Sequence, residues 1–85
     1  MYAIQFTPRG EREFKSFPKN IQQRIQKKLH DNANLQNPLV RAKPLINLPP
    51  ATHRFRIGKY RASFYIERNT IFVERVELKG RAYRR

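Results

Sequence analysis

Tyr2, Ile4 and Phe6 alternate with Ala3 and Gln5 at the start of the chain, the period-two pattern of a half-buried strand. Thr7-Pro8 follows as N-cap and first helical position, because the Thr hydroxyl can accept an orphan N–H and Pro loses nothing there. Glu11 and Glu13 fall where a helix dipole favours acids, and the pattern predicts a helix to about Phe17. Pro18 marks a break and a new start. From Pro18 to Asn32, Ile21, Ile25 and Leu29 recur at i, i+4 and i+8 among Gln, Arg and Lys. That predicts a second helix with one narrow apolar edge. Asn34 to Thr52 holds Pro38, Pro44, Pro49 and Pro50 and reads as irregular. Its Leu35, Leu39, Val40, Leu45, Ile46 and Leu48 are expected to pin it to the core.

At His53 the period changes to two. Phe55 and Ile57 point one way, Arg54 and Arg56 the other. Gly58-Lys59 makes a turn. Tyr60, Ala62, Phe64 and Ile66 then form an apolar set, with Arg61, Ser63 and Tyr65 facing away. Arg68-Asn69 supplies a second turn, where Asn tolerates positive φ, and Ile71 to Leu78 reads as a third strand of this meander. The predicted order is β-α-α-β-β-β: an α+β fold in which two N-terminal helices pack on one face of a small, mostly antiparallel sheet.

Eighty-five residues make one domain, 1–85, and no internal repeat is found. Without cysteine there are no disulfides or thiolate metal sites, and two His are too few for a structural zinc site. No apolar run approaches a membrane span, and the N-terminus does not read as a secretory signal, so the expected location is cytoplasmic. Charge changes the picture most. Nineteen Lys and Arg stand against six Asp and Glu, a net +13. Self-repulsion of that size calls for an anionic partner: nucleic acid, an anionic membrane or an acidic protein. A membrane surface fits poorly, because the bases do not lie along one broad amphipathic helix.

The bases that could carry chemistry lie on the predicted hairpin. Arg54 and Arg56 share a strand face about 7 Å apart, and Arg61 returns to that face across the turn. Three guanidinium forks on one surface make a phosphate cradle. Tyr65, further along, could stack a base. A solvated sheet face kept basic for solubility is the plainer reading. The absence of acids from this hairpin before Glu67 weighs against it. Lys79, Arg81, Arg84 and Arg85 read alone as a basic tail, and Tyr83 among them offers a stacking ring or a phenol able to move a proton. His30 falls near a helix C-terminus, where capping is expected. His53 opens the cationic strand with no spacing that marks a ligand. Glu67, Glu74 and Glu77 are expected to pair with neighbouring Arg. There is no phosphate-binding Gly loop, no Ser-His-Asp set and no paired carboxylates.

Lys43-Pro44-Leu45, the stretch His53-Arg54-Phe55-Arg56-Ile57-Gly58-Lys59-Tyr60-Arg61-Ala62-Ser63-Phe64-Tyr65, and the ending Lys79-Gly80-Arg81-Ala82-Tyr83-Arg84 together resemble the RelE/ParE toxin superfamily of toxin–antitoxin systems. The resemblance runs over nearly the whole chain in element order. It implies the toxin of a type II system, held by a cognate acidic antitoxin. RelE-type members are mRNA interferases, endoribonucleases that cut messenger RNA in the ribosomal A site with no cofactor and no metal. ParE-type members share the fold and poison DNA gyrase. By this resemblance Arg54 and Arg56 fall on strand bases of RelE-type toxins, often Lys there. Arg61 falls on the arginine that contacts the scissile phosphate, Arg81 or Lys79 on the basic residue near the C-terminus, and Tyr83 on the terminal tyrosine. His53 replaces the family's strand-opening tyrosine.

Residue type then assigns roles. Metal-free RNA cleavage uses the 2′-OH as nucleophile on its own 3′ phosphate. A proton must leave, charge must be held and the 5′ oxygen must be protonated. Arginine stays protonated and cannot be the base, so Arg54, Arg56 and Arg61 are expected to stabilise charge. Tyr83 is the candidate base or stacking group, with Arg81 or His53 near the leaving group. His53, Lys59, Tyr65, Lys79, Arg84 and Arg85 complete the expected RNA contacts. The competing readings are a gyrase poison without nuclease activity and a non-catalytic RNA-binding protein.

Overall fold

The computed structural model describes residues 1–78; Lys79, Arg81, Tyr83, Arg84 and Arg85 lie outside the described residues. The elements run β1 (Ala3–Phe6), α1 (Pro8–Lys15), α2 (Lys19–Ala33), a 3-10 turn (Pro38–Arg41), β2 (Ala42–Pro44), β3 (His53–Ile57), β4 (Tyr60–Glu67) and β5 (Thr70–Leu78). They build the α+β fold expected, with five strands in the order β1-β5-β4-β3-β2. The β1–β5 pair is parallel and the other three pairs are antiparallel. Strand β2 is the addition. It lies where the prolines predicted irregular chain, and it exists only because Ala42, Lys43 and Pro44 pair with Phe55, Arg54 and His53.

Local chemistry sets the element ends. The Thr7 hydroxyl accepts from the Gly10 N–H at 3.1 Å, with Pro8 next in line, so the first helix starts as the sequence predicts. It stops at Lys15, two residues early. The β3–β4 turn has positive φ at Gly58 alone of its two central residues, and the β4–β5 turn at both Arg68 and Asn69. Those are the II′ and I′ patterns that match strand twist. Both helices lie on one sheet face. Phe14, Ile25 and Leu29 bury against Phe55, Ala62, Phe64, Ile71, Val73 and Val76, so the narrow α2 stripe packs by its edge as its spacing requires. Helix α1 sits so close to β5 that a Cβ on Gly10 would run into the Val73 carbonyl.

One expectation fails. Four of the six apolar residues of the connection do not pin it to the core: Val40, Leu48 and Ile46 are 69%, 57% and 82% exposed and Leu39 is exposed too, while Leu35 and Leu45 are half-buried. The connection is held instead by buried Pro38 and Ala51 and by backbone bonds from Leu45 N–H to the Thr52 carbonyl and from Thr52 N–H to the Phe64 carbonyl. This loop crosses the sheet face opposite the helices, and Leu48 and Pro49 come to lie by Ser63 and Glu77 of β4 and β5.

Candidate nucleic-acid interface

The face opposite the helices carries the site. Alternation puts Arg54 and Arg56 of β3 there and Phe55 and Ile57 in the core. Register then aligns the bases across strands. Arg56 stands opposite Arg61, and Lys43 stands opposite Arg54. Directly opposed side chains have Cβ atoms about 4.5–5.5 Å apart, and like charges so placed cost stability. Arg54, Arg56, Arg61, Lys43 and Arg41 converge on one concavity of about 290 Å3, with Val40 and Ala42 completing its wall. Among the described residues, the ion pairs engage Arg9, Lys15, Lys27 and Arg75, and none involves Arg41, Lys43, Arg54 or Arg56. Such a recess raises local anion concentration, and its planar forks suit phosphate oxygens.

The strip beside it is built differently. Arg75 contacts Glu77 at 2.7 Å and Glu13 at 3.3 Å, and Arg9 contacts Glu13 at 3.6 Å and Glu74 at 4.0 Å. Glu13 also accepts the Val76 N–H at 2.8 Å, on the β5 edge that β1 leaves open. Glu74 and Glu77 therefore pair as their sequence suggests. Ser63 pairs with Arg75 while Phe64 pairs with Val73, which makes Glu74 the extra residue of a bulge.

The structure brings some predicted site residues together and parts others. Arg54, Arg56 and Arg61 share the concavity. Lys59 is at the exposed hairpin tip and outside its lining. Tyr65 keeps the outward parity of Arg61, but it lies beyond the start of β3 and stacks on Phe72, centroids 5.2 Å apart. His53 corrects an expectation. Its parity is that of Phe55, its ring stacks on Phe64 at 6.0 Å and its Nδ1 lies 2.9 Å from the Thr52 hydroxyl, so it faces away from the arginines and is not placed near a leaving group beside them. His30 is bound to its own helix, Nδ1 to the Gln26 carbonyl at 3.0 Å. Arg81, Tyr83, Lys79, Arg84 and Arg85 fall outside the described residues. Sequence reading missed Lys43 and Arg41 as members of the basic set. Their signal was pairing between distant segments, which no local pattern carries.

Comparison with solved structures agrees with this architecture. A chain of the RelBE2 toxin–antitoxin complex from Mycobacterium tuberculosis matches with a TM-score of 0.78 at 25% identity, over 92% of this chain and 98% of that one. A chain of the archaeal RelE–RelB complex from Pyrococcus horikoshii OT3 matches at 0.70 and 20% identity, over 94% and 97%. Isolated RelE toxin of E. coli matches at 0.73 and 17% identity, over 98% and 89%. No family model and no curated protein sequence matches the chain. The fold is that of the RelE-type toxins, and the resemblance read from the central hairpin motif stands.

Proposed function

We propose that this protein is the toxin of a type II toxin–antitoxin system and an mRNA-cleaving endoribonuclease acting on the ribosome in the cytoplasm. The observation that carries this reading is the concavity in which Arg54, Arg56 and Arg61 converge with Lys43 and Arg41. The 2′-OH of the substrate loses its proton and attacks its own 3′ phosphate; the phosphorane so formed carries extra negative charge, which leaves with the 5′ oxygen as that oxygen takes a proton, giving a 2′,3′-cyclic phosphate. Guanidinium groups in a recess stabilise that charge more strongly than they would in open water. They stay protonated, so proton transfer falls to side chains of another kind, Tyr83 or Lys79 being the candidates, with Arg81 expected to hold charge near the leaving oxygen. A surface with few groups able to move protons needs its substrate aligned by the ribosome. An acidic antitoxin covering this cationic face accounts for the tolerance of so much unbalanced charge. Solved structures of this fold include four toxin–antitoxin complexes.

On programmed ribosomes the purified protein cleaves mRNA, and Arg61→Ala slows cleavage at least about tenfold through loss of charge stabilisation. Cleavage at the wild-type rate by Arg61→Ala and Arg54→Ala would remove the concavity from the mechanism. Expression that triggers a DNA-damage response without translation arrest would favour the gyrase reading, and RNA binding with no product would favour the non-catalytic one.

A further inference from the structure

The cationic recess contains one base unlike the others. Arg41, Arg54, Arg56 and Arg61 line it together with Lys43. A guanidinium holds charge and does not give up its proton. A lysine ammonium can, and lysine is a regular donor in general acid catalysis. Among the described residues, nothing else in the lining moves a proton: Val40 and Ala42 complete it, with no carboxylate, histidine or phenol. Lys43 owes its place to the pairing of a three-residue edge strand. Strand β2 sets it directly opposite Arg54, with Cβ atoms about 4.5–5.5 Å apart. Its side chain is exposed, and no ion pair of the described residues engages it.

The oxygens of one phosphate lie closer to each other than those two Cβ atoms do. An oxygen gripped by Arg54 therefore leaves a neighbouring oxygen of the same phosphate in front of Lys43. Cleavage moves two protons, and an ammonium suits the second. First the 2′-OH gives its proton to a base, and its oxygen bonds to phosphorus. Then the bond from phosphorus to the 5′ oxygen breaks, and its electron pair goes to that oxygen. The oxygen takes a proton from Lys43 Nζ, and the neutral amine takes one back from water. A guanidinium in this position would hold charge at the phosphorane but leave the 5′ oxygen to depart as an alkoxide. For binding alone, the fork of a further arginine would serve as well or better.

We infer that Lys43 is the general acid of this site, protonating the 5′ oxygen as its bond to phosphorus breaks. The inference rests on the nuclease reading proposed above and adds the group that supplies the second proton. Lys43→Arg decides it, because that change keeps the charge and removes the transferable proton. Single-turnover cleavage on programmed ribosomes compares the full-length wild type, Lys43→Arg and Lys43→Ala on two RNAs. One has ordinary linkages. The other has sulfur in place of the bridging 5′ oxygen at the mapped cleavage position, and a thiolate leaves without needing a proton. On the ordinary RNA both variants should be slower by about a hundredfold, in the range of general acid catalysis. On the sulfur-substituted RNA, Lys43→Arg should cut within about twofold of the wild type, since no acid is needed there. Lys43 is exposed, so neither change threatens the fold. A wild-type rate for Lys43→Arg on the ordinary RNA, or an equal deficit on both RNAs, overturns the assignment and leaves Lys43 a phosphate contact, with the nuclease intact. A wild type that cuts neither RNA overturns the nuclease reading, and the assignment with it.

Discussion

The outer face of β2, β3 and β4 and the seam where α1 meets the β5 edge have opposite electrostatic construction. On β2, β3 and β4, cation stands opposite cation: Lys43 against Arg54 and Arg56 against Arg61. On β5 and α1, base and acid alternate through Arg9, Glu13, Arg75 and Glu77. The net +13 is therefore not spread evenly. Glu13, Glu74 and Glu77 gather where α1 meets β5, and the recess walled by β2, β3 and β4 is lined by bases. Bracing needs both signs. A surface kept for an anion needs one, and self-repulsion is the cost it carries.

The largest stability effect is expected at the brace. Gly10→Ala forces a Cβ into the Val73 carbonyl and should lower unfolding free energy by about 3 kcal/mol, in the range of overpacking, as read by urea denaturation. An unchanged midpoint would mean that α1 is not fixed against β5. Next, Glu13→Ala leaves the Val76 N–H without its acceptor and strips Arg75 of one carboxylate. The expected loss is about 2 kcal/mol, since hydrogen bonds to charged groups are the stronger kind. If Glu13→Ala were as stable as the wild type, the paired strip would have no structural role and the contrast would lose its meaning.

The parts of this arrangement differ in how visibly the sequence wrote them. The β3–β4 hairpin and its arginine face were legible, because alternation from His53 to Ile66 and the Gly58-Lys59 turn fix parity without reference to the rest of the chain. The Thr7-Pro8 start of α1 was legible for the same local reason. Strand β2 was not, since three residues ending in proline form a strand only by pairing with β3. The bulge at Glu74 was missed, although the apolar positions shift from odd, Ile71 and Val73, to even, Val76, across Glu74-Arg75, the parity change that one extra residue leaves. The loop misled through its composition. Ile46 and Leu48 promise burial, whereas the buried residues are Pro38 and Ala51. His53 could have been placed from parity alone, since it stands two residues before Phe55 and shares its side.

The central claim is that the unbalanced strip holds phosphate, and the salt dependence of RNA binding tests it most directly. Binding of a single-stranded RNA is followed across salt concentrations for the wild type and two triple alanine variants that remove equal charge. One changes Arg54, Arg56 and Arg61; the other changes the ion-paired Arg9, Lys15 and Lys27. Each phosphate contact on a single strand contributes about 0.7 to the slope of log affinity against log salt. The first variant should lose about 2 from that slope, by the same relation, and the second should keep the wild-type slope. Equal slopes in all three proteins, or the larger loss in the ion-paired variant, would contradict the account.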